Sequence, residues 1–569
     1  MTSSDISSLE DVVKYSSDGS NPEPYNEAHA NDLENNRNAS HASGNANDDD
    51  DEDNLSLSRV LSHDNERAGF TPFEMDDDVV TRIRTRASIV SDVKKAQDLS
   101  EKYPDGLVRL PQDSPIRALN WTFKKKIWHT MGYGVTTLSA QMGASILSAS
   151  NQQITQEFHV GSEVAVLAFS VFVLGNIVGP PFFAPLSELF GRKVGVFIPC
   201  FIGGIMMCIA ANVNSIAALV VFRFLAGVFC AAPVVSSGGA MADMWAADQR
   251  AAALVLYAIN IVAGAEAAPT LGALLVSTGS YGWRWSQWLT GLLCMTISTF
   301  NMAVMTETFF PVAEKNEVRR LKLESGYWAL HSEHDKWQLS FNEFVNVHLK
   351  RPMLMLATPI IFLFVIYASF VYGLVFLLIT SASLEFETVH HFTHVTGFIP
   401  LLALFIGFLF GGGLNVLQSK RFARVGKALG RKPEPEERLP CMMLFGWMMP
   451  CGMFLYGWTM KSWIHWFVPC LGLAFVGGGM AVIFQGCLIY MVDVYTKYSA
   501  SAIAANTIVR SIFGGVFPLF AMQMFRGMGV HWASSLLAFI GVALCPVPWL
   551  FHAFGARIRA HDPYRAKLT

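Results

Sequence analysis

The stretch GPPFFAPLSELFGRK, Gly179–Lys193, separates two apolar runs and decides how the chain is organised. A bilayer crossing takes about 20 apolar residues, and each of the two runs is long enough for one. The stretch therefore predicts two membrane helices joined by a short charged hinge. Glu188 and Arg192 are four residues apart, so we expect them to share a face on the first turn of the following helix, while Gly191 allows two backbones to come close.

The composition indicates a membrane protein with an acidic tail. Of the 569 residues, 52% are hydrophobic and 15% are charged, whereas soluble domains carry about 25% charged residues. Residues 1–100 hold 22 Asp and Glu against 9 Lys and Arg, a net charge of −13, although the whole chain has only −3. Segment 1–103 has too little apolar surface to fold alone, so we predict a disordered cytoplasmic tail. Within it, Ser88 of RTRAS is a candidate kinase site.

Apolar segments occur in two sets of six, within 128–306 and within 353–554. A juxtamembrane segment, 104–127, precedes the first set, and a polar loop, 307–352, separates the two. Lys and Arg concentrate in the loops after segments 2, 6 and 8, so the positive-inside rule places these loops, both termini and the tail 555–569 in the cytoplasm. We predict an all-α membrane protein of twelve transmembrane helices, built as two six-helix bundles related by pseudo-twofold symmetry. The segments run roughly over 128–150, 160–184, 194–212, 215–238, 251–276, 286–306, 353–380, 394–416, 440–459, 464–490, 500–524 and 532–553.

The hinge has the form of a known loop signature. An acidic residue, two further positions and then Gly-Arg beside another basic residue resembles the signature of the major facilitator superfamily. PLSELFGRK is similar in particular to the fungal twelve-span drug:proton antiporters, most closely the polyamine and multidrug exporter group. The strings PEERL, GWTM and FPLFAMQMF resemble the same group, so the likeness covers about residues 115–565. It implies the major facilitator fold, a working monomer and exchange of protons for cargo.

Two charges inside predicted spans are candidates for proton coupling. A charge at the centre of a spanning helix costs about 2.5–3.5 kcal/mol, so each one needs a use. Arg223 in segment 4 falls where the superfamily has its proton-coupling arginine, and a buried structural pair is the alternative. Glu266 in segment 5 points about 200° away from Gly264 on the small-residue face. Desolvation would let Glu266 carry a proton or bind a cationic substrate; the alternative is an ion pair with Arg223.

Further candidates fall into three groups. Asp243 matches the family position whose acid meets the hinge arginine, which implies a conformational latch, with a static loop brace as the alternative. The latch residues are Gly179, Glu188, Gly191, Arg192 and Asp243. We expect Asp493 and Arg510 to form a structural ion pair. The candidate cavity residues, each alternatively a packing residue, are Gln141, Glu266, Tyr367, Tyr372, Gln485, Tyr490 and Asn506. Such walls suit amphipathic or cationic ligands, through stacking and cation–π contacts.

The sequence contains no Walker motif, nucleophile elbow, dinucleotide fingerprint or His-rich metal site in a suitable context. We therefore expect no enzyme activity, no cofactor or metal and no nucleic-acid partner, with the proton gradient as the energy source. The sequence predicts proton-coupled export of small amphipathic or cationic molecules, such as polyamines and drugs, by alternating access. Its partners would be substrate, protons and the lipid bilayer, in a fungal plasma membrane or alternatively a vacuolar membrane. A proton symporter or facilitator that imports a nutrient, and a non-transporting sensor, are the alternatives.

Overall fold

Helices make up most of the computed structural model, which describes residues 98–246, 249–279, 282–336, 344–430, 433–495, 498–560 and 562. Ser88 and the acidic run of the tail lie outside the described residues, as does most of the C-terminal tail. Residues 98–102, at the end of the predicted tail, are helical. An isolated parallel β-bridge joins Leu107 to His331, so the juxtamembrane segment contacts the central loop.

The membrane helices are numbered in chain order. The first half contains α1 (Phe123–Ser145), α2 (Ser162–Leu189), α3 (Arg192–Ala210), α4 (Ile216–Met244), α5 (Arg250–Ser277) and α6 (Gly282–Val304). The second half begins with α7 (Pro359–His390), α8 (Leu402–Leu429), α9 (Met448–Thr459) and α10 (Phe467–Val494). The helical stretch Ser499–Leu544 is interrupted at Gly529 (φ 75°, ψ 158°), which divides it into α11 (499–528) and α12 (530–544). The helix Val547–Ala560 follows α12.

Nine stretches of the described chain are long and apolar enough to cross a membrane. One of them, Ser499–Ala560, has 62 residues and contains two crossings, because the chain breaks at Gly529. Helices α1 and α6 have 23 residues each, which is also sufficient, but they carry more polar side chains. Together these elements give twelve crossing helices, so the predicted all-α twelve-helix fold is confirmed.

Glycines allow the same close packing of helices in both halves. A Cβ atom at Gly227 of α4 would overlap the carbonyl oxygen of Phe172 in α2, and one at Gly407 of α8 would overlap that of Ala474 in α10. Close backbone approach of this kind is the usual way in which membrane helices associate. Helix α2 also packs against α11, and α5 packs against α8, so two helix pairs connect the halves.

The hinge is shorter than the sequence predicts. Helix α2 continues through Pro180, Pro181 and Pro185 to Leu189, and the chain reverses at Gly191, which has φ 94°. Proline is tolerated inside membrane helices because neighbouring helices and local backbone adjustments compensate for the lost hydrogen bond. Glu188 therefore lies in the last turn of α2, and its placement on the first turn of the next helix is wrong.

Gly179 lies within α2 rather than at a helix end. A Cβ atom there would overlap the Cβ of Ala231 in α4, so this glycine serves helix packing.

Large apolar side chains lie on the outside of the bundles, where contact with lipid favours them. Leu292 and Phe300 of α6 and Phe539 of α12 are 49–57% exposed.

Candidate functional site

Arg223 of α4 is fully buried and joins three other helices of the first half. Its guanidinium donates to the carbonyl oxygen of Gly143 in α1 (2.6 Å), to that of Ala168 in α2 (3.2 Å) and to Gln287 Oε1 in α6 (3.2 Å). The guanidinium carbon also lies 4.7 Å from the ring centroid of Phe172. Neutral acceptors thus satisfy this buried cation, and it forms no ion pair with a described carboxylate.

Glu266 of α5 is also fully buried, but neither of its carboxylate oxygens has a hydrogen-bond partner among the described residues. Thr270, one turn further along the same face, donates to the carbonyl oxygen of Phe398 in the second half (3.3 Å). Glu266 therefore lies on the side of α5 that faces the second half. Since Arg223 is engaged by α1, α2 and α6, the alternative of an Arg223–Glu266 ion pair is wrong.

Of the predicted latch residues, the acids Glu188 and Asp243 contact Arg192, the first residue of α3, whereas Gly179 packs against α4 away from it. The Nε atom of Arg192 lies 3.2 Å from Asp243 Oδ2 at the end of α4, and its Nη1 donates to Ser187 Oγ (2.8 Å). Glu188 is more distant, at 3.7 Å from Nη2, and is 40% exposed at its side chain. The cluster thus joins the α2–α3 hinge to α4, within the first half.

Glu307, which sequence reasoning did not single out, holds the hinge from the other side. Its carboxylate accepts the backbone N–H groups of Arg192 (2.9 Å) and Lys193 (3.1 Å), the first two residues of α3. It also accepts those of Thr308 and Phe309. A Cβ atom at position 191 would overlap Glu307 Oε2, so the glycine gives the carboxylate access to the start of α3. A carboxylate at a helix N-terminus is electrostatically favourable.

The candidate cavity residues separate into two groups. Tyr372 of α7 stacks near Phe484 of α10, with ring centroids 6.4 Å apart. Asn506 of α11 is 1% exposed, and both polar atoms of its amide lack a partner among the described residues. Gln485 is similarly buried and without a partner, but successive helix residues differ by 100°, so it projects away from the face that carries Phe484.

The remaining candidates have hydroxyl or amide groups inside one half. The Tyr367 hydroxyl lies 3.6 Å from Cys545 Sγ, and the Tyr490 hydroxyl donates to Glu436 Oε1 (3.5 Å), so both point into the second half. Gln141 packs on the small-residue face of α5. A Cβ atom added at Gly264 would be 3.1 Å from the Cβ atom of Gln141. The structure does not bring these three side chains together with Tyr372.

The predicted ion pair between Asp493 and Arg510 is wrong. Asp493 at the end of α10 lies 3.0 Å from Nε of Arg438, whose guanidinium carbon is 3.6 Å from the centroid of Phe422. This pair repeats the Arg192–Asp243 pair of the first half, because both acids end the fourth helix of their bundle. Because the two halves are related by pseudo-twofold symmetry, the Arg192–Asp243 pair predicts an arginine before the third helix of the second half. That arginine is Arg438, the partner of Asp493.

Polar contacts also connect the halves at the end opposite to Arg192. Gln523 of α11 donates to Glu163 Oε1 at the start of α2 (2.8 Å). His394 lies just before α8, with Nε2 2.9 Å from the carbonyl oxygen of Ala149 and Nδ1 2.9 Å from Glu387 Oε1. These contacts must break whenever this end of the molecule opens.

Comparison with known families agrees with this architecture. A model of the Major Facilitator Superfamily matches residues 133–518, about two thirds of the chain. The chain belongs to the major facilitator superfamily. It is therefore a multi-pass membrane transporter and not an enzyme.

The relatives of this transporter include a multidrug transporter and an efflux pump of fungi. It is 38% identical over 451 residues to the major facilitator superfamily multidrug transporter FLU1 of Candida albicans, covering 79% of this chain and 74% of that one. It is 36% identical to the efflux pump bik6 of Gibberella fujikuroi, covering 78% and 92% of the two chains. The Escherichia coli xylose transporter XylE, in a partially occluded inward-open conformation, superposes with a TM-score of 0.54 at 14% identity, covering 77% and 99%. The likeness to XylE concerns the fold alone.

Proposed function

We propose that this transporter exports small amphipathic or cationic molecules, including drugs and polyamines, from the cytosol in exchange for protons. The names of FLU1 and bik6 support export of drug-like molecules. The proposal includes a monomer in the plasma membrane of a fungus, with both termini in the cytoplasm and Ser88 open to a kinase. No cofactor is required, because a proton that moves down a 100 mV potential supplies about 2.3 kcal/mol.

The observation that carries the proposal is Glu266. A fully buried carboxylate without a hydrogen-bond donor is costly as an anion, so it favours the protonated form when the site is closed. When the halves separate, water or a cationic group of the substrate reaches the face of α5 that carries Glu266. Either one stabilises the ionised carboxylate. Proton release and substrate binding at one carboxylate exclude each other, which is what exchange requires.

Arg223 supports this cycle as a fixed positive charge in the first half. The acceptor atoms of its guanidinium lie on three neighbouring helices, so the cation stays in place while Glu266 changes its protonation state. Alternating access would break the contacts of His394 and Gln523 at one end of the molecule in one state, and re-form them in the other.

Transport in proteoliposomes tests the proposal. Purified protein is reconstituted with an imposed pH gradient, and uptake of labelled spermidine and of a hydrophobic cation is measured. With an acidic lumen, we expect substrate to accumulate inside the vesicles while protons leave. Accumulation together with protons would instead identify an importer, and absence of any counterflow would identify a sensor.

The Glu266→Gln variant tests the carboxylate itself. Glutamine mimics the protonated form, which excludes the cationic substrate, so the variant should be produced as folded protein but lose both counterflow of a cationic substrate and accumulation driven by the pH gradient. Glu324→Gln, at a residue 51% exposed at its side chain in the central loop, is the matched control and should behave as the unmodified protein. Unchanged gradient-driven accumulation in Glu266→Gln would refute the assigned role.

A further inference from the structure

Arg510 of α11 is a buried cation beside two aromatic rings. It is 9% exposed, and its guanidinium carbon lies 4.8 Å from the ring centroid of Tyr372 and 5.2 Å from that of Phe484. Among the described residues, its Nε has no hydrogen-bond partner and no carboxylate forms an ion pair with it. Arg223, the other arginine within a span considered above, has carbonyl and amide acceptors for its guanidinium. Arg510 differs from Arg223 because aromatic rings lie beside its guanidinium and no described carboxylate balances its charge.

The surroundings of Arg510 lie where the two halves meet. Asn506, one turn before it on the same face of α11, has an amide that lacks partners among the described residues. Gly514, one turn after it, has no side chain, and a Cβ atom there would be 2.8 Å from Tyr372 and 3.1 Å from Val173 of α2. Arg510 Nε and the Asn506 amide, which lack partners within the described part of the chain, thus lie near the helix pair that connects the halves.

An aromatic wall continues from Arg510 into the first half. The ring of Tyr372 lies 5.0 Å from that of Phe376, one turn further along α7. Phe376 in turn lies 6.1 Å from Phe169 of α2. A flat ligand that stacks on this wall would therefore contact both halves of the transporter at once.

We propose that Arg510 and Asn506 bind the acidic group of aromatic, amphipathic substrates, so that the transporter accepts organic carboxylates at this site. The N–H groups of a guanidinium lie in its own plane, where they suit a carboxylate with two parallel hydrogen bonds. The Asn506 amide supplies a further donor from the same face. Organic carboxylates would thus be one substrate class of the proposed exporter. This inference rests on the proposed function only for the direction of transport.

Binding of a matched pair of probes tests the site. The full-length protein in lipid nanodiscs is titrated with 2-naphthoate and with 2-naphthamide, which share the ring system and differ in charge. At neutral pH we expect the carboxylate to bind at least tenfold more tightly than the amide. Arg510→Gln should lower naphthoate affinity at least tenfold and change naphthamide affinity less than twofold, while Arg510→Lys should fall between because it keeps the charge without the planar fork.

Arg526→Gln is the control, because Arg526 is an exposed arginine on the same helix, and its probe affinities should match those of the unmodified protein. Retained naphthamide binding demonstrates that Arg510→Gln is folded. Equal loss of both probes in Arg510→Gln would overturn the proposal, as would wild-type protein that binds naphthoate no better than naphthamide or binds neither. Gradient-driven transport of the hydrophobic cation, measured on the same purified protein after reconstitution into proteoliposomes, tests export separately, so either idea can fail alone.

Discussion

Replacing Glu307 by alanine should destabilise the hinge more than its place in a loop suggests. The carboxylate accepts the backbone N–H groups of Arg192 and Lys193, and both bonds are partly buried. Leaving a buried donor without an acceptor costs about 1–3 kcal/mol. Since water partly reaches this site, we take about 1–2 kcal/mol for each of the two donors, which gives a loss of about 2–4 kcal/mol in the free energy of unfolding.

Denaturant unfolding in detergent micelles, followed by tryptophan fluorescence, measures this loss. Glu333→Ala is the matched control, because Glu333 pairs with Arg109 at side chains that are 64% and 73% exposed. Exposed ion pairs contribute about 0–1 kcal/mol. If Glu307→Ala and Glu333→Ala shift the midpoint equally, the carboxylate does not hold the start of α3, and the account of the hinge given above is incorrect.

Two further predictions concern packing and pH. Gly227→Ala should destabilise the protein by about 1–3 kcal/mol through overlap with α2, whereas Gly238→Ala on the same helix meets no atom within 4 Å and should be neutral or stabilising in the same unfolding assay. In the central loop, burial raises the pKa of Asp335, but hydrogen bonds from Ser332 and the ammonium of Lys315 outweigh it and hold the pKa below its usual value. This contact is therefore complete above the ordinary carboxyl pKa and should be lost only as the pH falls through the lowered one, seen as faster hydrogen exchange in the loop after correction for intrinsic rates. Loss of protection already at pH 6 would contradict it.

The features predicted correctly are those that depend on local apolar pattern. Long apolar runs identify membrane helices because the bilayer requires both their length and their internally bonded backbone. The contact of Arg192 with Asp243 also agrees with the prediction, because the family resemblance implies an acid at position 243 that meets the hinge arginine. The end of α2 was misplaced, because prolines signal a break in water but are compatible with a helix that neighbouring helices surround.

The partners of individual charges were harder to predict. Glu307 acts across 115 positions of the chain and no spacing rule links it to Arg192, whereas Arg438 can be found only by transferring the Arg192–Asp243 pair to the second half through pseudo-twofold symmetry. A carboxylate that accepts backbone N–H groups does not require particular side chains in the segment that it contacts. The sequence of that segment therefore does not indicate the contact. Burial without a partner, as at Glu266, is likewise a property of the surrounding helices and is readable only in three dimensions.

The acceptors of Arg223 have a consequence for sequence variation among transporters of this kind. Gly143 and Ala168 contribute main-chain oxygens, which every amino acid possesses. A substitution at either position therefore leaves the acceptor of the guanidinium in place, and its limit is space, because a Cβ atom at Gly143 would overlap Met207 of α3 and Ala168 is fully buried. The anchoring of the arginine thus depends on the course of the backbone and not on the identity of these two side chains.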